Sequence, residues 1–340
     1  MITIVDLARE LGVGVSTVSY ILNDRWREQQ ISLKLARRVQ RRAREMGYKP
    51  SLLARQFRTK KTNTIGVVLP DLVRPYNYAL FKGIADVITS AGYMTLVGSS
   101  NLDEEKEADF LQQFIGRQAE GIILTPVRGR KSLPLIRSLL ARNYPLVMVD
   151  TCKYGLKGDF VGTDNVTAAY RGVLSLIQKG HKVIGYLGQV AGLSATAERY
   201  AGYCKALSGA GLPVRRDYCR KVHGPDELFA ATMALGRMKT PPTAIFIESL
   251  SYAAKTLHAL NQLKSNIALM GFDRLAEESI PGAEGCSDLL VDQQVFMIEQ
   301  PAEEMGRQGA QLLFRRLRDA GAPCRQQLLP AVMREIAERK

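Results

Sequence analysis

Between Thr64 and Gly271, short apolar runs rich in β-branched residues alternate with stretches whose apolar residues recur at helical spacing. Strands are predicted at 64–69 (TIGVVL), 93–98 (YMTLVG), 120–124 (EGIIL), 145–149 (PLVMV) and 159–162 (DFVG), then at 182–188 (KVIGYLG), near 218–222, at 243–247 and at 266–271 (NIALMG). Helices are predicted between them, near 76–91, 104–117, 132–142, 165–179, 195–210, 226–237 and 250–263. Such runs are apolar on both sides, so the strands must lie in parallel sheets covered on both faces by the intervening helices. Two units of this kind in tandem form two doubly wound subdomains with a cleft between them.

The first sixty residues have a different pattern. Thr3 followed by Asp6 is a capping box, so a helix starts at Ile4, with Ile4, Leu7, Ala8 and Leu11 on one face. Gly12 closes it, because a residue tolerant of positive φ ends a helix at least cost. A second short helix follows, with Val15, Val18, Ile21 and Leu22 apolar and Ser16, Thr17, Ser19 and Tyr20 outside. Two short helices joined by a Gly-containing turn form a helix-turn-helix, whose second helix enters the DNA major groove. A third helix runs from Ser32, a natural N-cap, to Gly47. Its apolar stripe is Leu35, Val39, Ala43 and Met46, and its other face carries Lys34, Arg37, Arg38, Arg41, Arg42 and Arg44.

Charge follows the same division. Residues 1–61 hold 14 Lys/Arg against 5 Asp/Glu, which places +9 of the chain's formal +14 in the head and leaves +5 for the other 279 residues. A basic head on a near-neutral body is the footprint of a nucleic-acid binder. The five cysteines (Cys152, Cys204, Cys219, Cys286, Cys324) are scattered and none has C-x-x-C spacing, which indicates neither a zinc site nor a disulfide framework and fits a reducing cytosol. No apolar run approaches the ~18 residues of a membrane span, and no apolar signal region follows Met1, so membrane insertion and secretion are not expected.

The segments TIVDLARELGV, STVSYILN, IS before the third helix, GYKPSLLARQF and IGVVLPD, in this order and spacing, resemble the LacI/GalR family of bacterial transcriptional regulators. The resemblance covers nearly the whole chain. It implies a helix-turn-helix head (1–50), a hinge helix and linker (51–62), and an α/β core of two doubly wound, periplasmic-binding-protein-like subdomains (63–340). It also implies three crossings between subdomains, near 162, 292–300 and 322. Subdomain 1 is then about 63–162 and 300–321, and subdomain 2 about 163–299 and 322–340.

Position by position, the resemblance gives Val15, Ser16 and Tyr20 the base-reading places, with Ile4 beside a base edge. Many relatives have arginine where Tyr20 stands, and arginine grips guanine bidentately. A tyrosine there implies another base preference. Thr3, Thr17, Ser19, Asn23 and Ser32 suit phosphate contacts, which position without reading sequence. Gly14 replaces the serine usual at the second helix's N-cap. The loop 24–31 is longer than usual and holds Trp26, for which packing against DNA and packing against its own domain stay equally open. Segment 51–58 matches the hinge helix. At eight residues it is too short to be stable alone, and it enters the minor groove in the family with an apolar wedge, here Phe57. Ala54 is small enough for two hinge helices to approach across a dimer axis.

For the body, matching positions give Tyr76, Asp150, Arg199, His223, Ser249, Asp273 and Gln300 as cleft residues. Arg199 with Asp273 suits a vicinal diol or a heterocycle edge, and Tyr76 and His223 suit ring stacking. Ser249-Leu250 stand where most relatives carry an Asn-Asp pair, which weakens a sugar reading. The stretch 280–295 is longer than the usual family loop. No leucine heptads follow the core, so a coiled-coil tetramerisation tail is not expected.

The implied function is a dimeric repressor of transcription, binding double-stranded operator DNA with affinity set by a sugar or nucleoside-like effector. The alternative is an orphan regulator whose core is a dimerisation or protein-interaction module. No enzyme, cofactor or metal is expected. Only three histidines exist (His181, His223, His258), and no G-x-S-x-G, Walker A or dinucleotide fingerprint follows a strand.

Overall fold

The computed structural model describes residues 2–48, 61–153, 155–190, 192–223, 225–249, 253–273 and 294–335. Ala54 and Phe57 in the expected hinge helix, Leu250 and nearly all of the 280–295 stretch lie outside the described residues. The chain forms two compact units, residues 1–62 and 63–340.

The first unit is three helices, α1 (Ile4–Leu11), α2 (Val15–Leu22) and α3 (Leu33–Glu45). Thr3 and Asp6 make the reciprocal capping box, and Gly12 ends α1 at φ +64°. Gly14 supplies α2 with no side-chain cap, whereas Ser32 Oγ accepts from Leu35 N at 3.3 Å at the start of α3. The core is Leu7, Ala8, Leu11, Val18, Ile21, Ala36, Val39 and Ala43. The inner stripe of α3 is thus Ala36, Val39 and Ala43. Leu35 and Met46, expected inside, are only partly buried and pack at the margin of this core. Trp26 packs on this core and donates its indole N–H to Asp24 at 3.0 Å, so it belongs to its own domain.

The second unit has two six-stranded sheets. Its elements are β1 (Thr64–Leu69), α4 (Pro75–Ser90), β2 (Met94–Ser99), α5 (Glu104–Gly116), β3 (Gly121–Leu124), α6 (Leu133–Ala141), β4 (Leu146–Asp150), β5 (Asp159–Thr163), α7 (Asn165–Gln178), β6 (Ile184–Gln189), α8 (Ser194–Gly209), β7 (Cys219–Val222), α9 (Pro225–Gly236), β8 (Ala244–Ile247), α10 (Ala253–Gln262), β9 (Ala268–Phe272), β10 (Val295–Glu299), α11 (Ala302–Arg318), β11 (Gln326–Leu329) and β12 (Val332–Glu335). The first sheet runs β11-β5-β4-β3-β1-β2, all parallel. The second runs β12-β10-β9-β8-β6-β7, parallel except for β12. Central strands such as Ile122–Leu124 and Ala244–Ile247 are buried along their length, as parallel sheets covered by helices require.

Helix α11 returns to the first lobe and packs on α4 with the two backbones almost touching. A Cβ on Gly306 would lie 2.1 Å from Leu80 O, and one on Gly83 would lie 1.9 Å from Glu303 O.

One boundary differs from expectation. Residues 322–329 do not join the second subdomain, because β11 pairs with β5 in the first sheet. The buried Asp159 carboxylate holds them there, accepting from Arg316 Nε at 2.8 Å and from Arg325 N at 2.8 Å. The chain therefore crosses at Pro330–Ala331, and only β12 reaches the second sheet, antiparallel to β10.

Candidate ligand cleft and nucleic-acid interface

In the head, Val15 and Ser16 occupy the exposed leading turn of α2. Tyr20, one turn on, is partly exposed, with the Arg25 guanidinium 5.8 Å from its ring centroid. Ile4, Thr17 and Ser19 are partly buried, and Thr3, Asn23 and Ser32 are exposed. Several of the expected phosphate contacts already have local partners. Thr3 Oγ1 donates to Asp6 at 2.7 Å, Asn23 Nδ2 donates to Ser19 O at 2.6 Å, and Ser32 Oγ caps α3. The Thr3 hydroxyl also holds the Asp6 carboxyl below its ordinary pKa. On α3, Lys34, Arg37, Arg38, Arg41 and Arg44 are exposed, whereas Arg42 is tied to Glu10 at 2.6 Å and bolts α3 to α1.

In the body, a cleft of about 300 Å³ opens between the two lobes. All seven expected side chains line it: Tyr76, Asp150, Arg199, His223, Ser249, Asp273 and Gln300. Most sit at carboxyl ends of parallel strands, where an open α/β sheet leaves its crevice. Asp150 ends β4, and Asp273 follows β9; His223, Ser249 and Gln300 lie just beyond β7, β8 and β10.

Arg199, on α8, is the hub. Only 6% exposed, it donates Nε to Asn165 Oδ1 at 2.8 Å, Nη1 to Glu248 O at 2.9 Å and Nη2 to Gln300 Oε1 at 3.1 Å. Its guanidinium lies 3.9 Å from the Phe272 ring centroid, a cation–π contact. Gln300 Oε1 also accepts from Thr163 of the first lobe at 2.8 Å, and Gln300 Nε2 donates to Asp273 Oδ1 at 2.6 Å. Ser249 Oγ donates to the other Asp273 oxygen at 3.2 Å. Arg199 and Asp273 are linked to each other through Gln300.

The Tyr76 hydroxyl donates to Asp150 Oδ1, which fixes the position of its ring at the cleft. Burial pushes the Asp150 carboxyl up to about 6 against the pull of Arg199 and the Tyr76 hydrogen bond, with Asp273 and Glu198 adding to the rise. The Tyr76 phenol is pushed well above its ordinary value, first by burial and then by Asp150. His223 is exposed at the cleft's edge.

The sequence reading missed further residues on both walls. Thr125, Arg128, Gln189, Thr196 and Glu248 also line the cleft. Arg128 reaches across from the first lobe to donate to Gln189 Oε1 of the second. Nearby, Ser194 N donates to Cys152 O at 3.0 Å, and Lys153 forms a β-bridge with Leu193. No motif marks these residues: Thr125 and Glu248 follow β3 and β8, Gln189 ends β6 and Thr196 lies in the first turn of α8.

Two binding-protein lobes carried behind a helix-turn-helix define a class, that of DNA-binding transcription regulators with a sugar-binding type of body. Residues 3–51 match the family described as bacterial regulatory proteins, lacI family, and residues 62–333 match periplasmic binding proteins and sugar binding domain of LacI family. The chain belongs to the LacI family of bacterial transcriptional regulators.

The HTH-type transcriptional repressor CytR of Escherichia coli (strain K12) is 30% identical over 324 residues, 92% of this chain and 89% of that protein. Catabolite control protein A of Priestia megaterium is 28% identical over 320 residues, 92% and 91%. These relatives are transcription regulators, not enzymes. The fold matches that of a lac repressor dimer bound to operator and the anti-inducer ONPF, with TM-score 0.77, 19% identity and 98% of each chain covered. It also matches a transcriptional regulator CelR–cellobiose complex, with TM-score 0.68, 22% identity and 100% of each chain covered.

Proposed function

We propose that this protein is a repressor of transcription that binds an approximately palindromic operator as a homodimer, in the bacterial cytoplasm, with its affinity set by a sugar or nucleoside-like molecule in the cleft. The observation that carries this reading is the convergence of the polar side chains Tyr76, Asp150, Arg199, Ser249, Asp273 and Gln300, from two lobes, on one cleft. A ligand that touches both walls favours one lobe angle over another, and only such differential contact shifts the equilibrium of a regulator. Dimerisation through the first lobe is supported by large apolar side chains left exposed around α4 and the edge strand β2: Val73 (80%), Tyr78 (61%) and Met94 (67%).

The second reading, an orphan regulator whose core serves dimerisation or protein contact, is favoured by one observation. The three nitrogens of Arg199 are already engaged by Asn165, Glu248 and Gln300. Isothermal titration of the intact protein with a carbohydrate and nucleoside panel separates the two. Saturable binding that changes operator affinity supports the first reading, and heat-silent titration across the panel supports the second.

A further inference from the structure

Among the described residues lining the cleft, the buried side-chain atoms without a hydrogen-bond partner are Thr125 Oγ1 and Arg128 Nε. Thr125 is 1% exposed. The cleft's carboxylates, in contrast, are engaged. Glu248 Oε1 accepts from Thr196 Oγ1 at 2.6 Å and its Oε2 from Gln189 N at 2.7 Å, Asp273 is held by Gln300 and Ser249, and Asp150 by Tyr76. Arg128 pairs with no carboxylate among the described residues; its one polar partner is the neutral Gln189 amide. What the cleft leaves unsatisfied is thus a cationic donor and a hydroxyl, three residues apart in the chain and both on the first-lobe wall.

That wall is rigid. Glu107 and Lys153, both at most 3% exposed, form an ion pair at 2.9 Å beneath it. Lys153 Nζ donates to Ser132 Oγ at 2.6 Å, and Glu107 Oε2 accepts from Val127 N, which fixes the loop between Thr125 and Ser132. The pair neutralises Lys153, and Arg74 is paired with Asp71, so on the first-lobe wall Arg128 is the cation without a carboxylate partner among the described residues, while Arg199 stands on the other wall. Gly192 gives the arm its place: a Cβ there would meet Arg128 Cγ at 2.9 Å.

We propose that Thr125 and Arg128 form an anion subsite, and that the small molecule this cleft takes carries an acidic group, a carboxylate or a phosphate. A guanidinium and a hydroxyl together supply charge-assisted hydrogen bonds to such a group, and they relieve two buried atoms that otherwise lack partners. The ligand's identity as a polyol rests on the reading given under Proposed function; the anion subsite itself does not.

Two measurements on the intact protein test it. In the first, thermal unfolding is compared in phosphate and chloride at matched pH and ionic strength. At ten times its dissociation constant, phosphate should raise the wild-type midpoint by about 2–4 °C more than that of Arg128→Gln. Gln189→Ala, which removes the cross-cleft partner but keeps the guanidinium, should retain the effect. Any contribution from the basic head is common to all three proteins. Equal shifts in wild type and Arg128→Gln would overturn the subsite.

In the second, calorimetry compares neutral hexoses with the matching hexonates, hexuronates and hexose phosphates. The acidic member should bind at least about tenfold tighter, an advantage lost in Arg128→Gln and Thr125→Ala; which acid binds identifies carboxylate or phosphate. Neutral hexoses binding as well as the acids, unaffected by Arg128→Gln, would overturn the subsite and leave the ligand reading standing. A phosphate shift that depends on Arg128 while no polyol binds would support the subsite and remove the polyol.

Discussion

Asp150 and Asp273 occupy equivalent places in the two lobes: each lies at the carboxyl end of the third strand of its sheet, and each has a left-handed backbone, with φ of +70° and +74°. Non-glycine residues held there cost of order 1–3 kcal/mol and persist where the surroundings fix them, which is common at ligand sites. Here hydrogen bonds from Tyr76, and from Ser249 and Gln300, do the fixing.

The raised Asp150 pKa gives a first prediction. Between the ordinary carboxylate value and about 6, the folded protein holds a proton that the unfolded chain has lost, so this group makes stability fall as pH rises through that window. Asp150→Asn keeps the acceptor for Tyr76 and removes the titration. Its melting temperature should gain on the wild type between pH 4 and 6.5 and hold that gain above. A difference independent of pH would show that Asp150 titrates normally.

Gly306 gives a second. Gly306→Ala must push α4 and α11 apart, since Leu80 O occupies the methyl's place; overpacking of this kind costs about 1–3 kcal/mol, and more where backbone must move. Gly116, at the end of α5 with nothing within 4 Å, is the contrast: Gly116→Ala should be neutral or stabilise by about 0.5–1 kcal/mol. Urea unfolding of both variants checks this, and equal midpoints would contradict the close helix contact.

Arg199→Ala is a third. It strands Asn165 Oδ1 and Glu248 O in a buried site and leaves Gln300 Oε1 with Thr163 alone, a loss of about 2–4 kcal/mol. Ligand response should vanish while ligand-free operator affinity stays within a few-fold. A variant that folds and responds like wild type would remove Arg199 from the ligand site.

What the sequence made legible was local. Thr3, Asp6 and Gly12 mark a helix by near-neighbour chemistry, and the alternation from Thr64 onward marks strands by periodicity; both lie within a few residues of chain. The cleft residues Asp150, Arg199 and Asp273 came instead from the family resemblance, since their convergence is a property of two lobes. Longer-range facts stayed hidden. The pairing of β11 with β5 depends on Asp159 reaching Arg316 and Arg325 more than 150 residues on. Arg128 meets Gln189 only because the lobes face each other, and neither residue belongs to a motif. Trp26 was undecided for the same reason, its site being a core assembled from three helices.

The exposed basic face of α3 gives a fourth prediction. Each phosphate neutralised should contribute about 0.9 to the fall of log K with log salt. Arg37→Gln and Arg38→Gln should each reduce that slope by up to about 0.9 if they touch phosphate, and weaken all DNA sequences alike. A slope unchanged in both would place the DNA on another face of the head.

The decisive measurement is selection of bound duplexes from a random-sequence library by the intact protein. A dimeric, sequence-reading regulator should enrich an approximate inverted repeat, with a pyrimidine–purine step at its centre, where bending is least costly. The same selection with Tyr20→Ala should lose its preference at one position in each half-site and keep the spacing. Enrichment of a single unrepeated half-site, or of no shared sequence, would contradict the account.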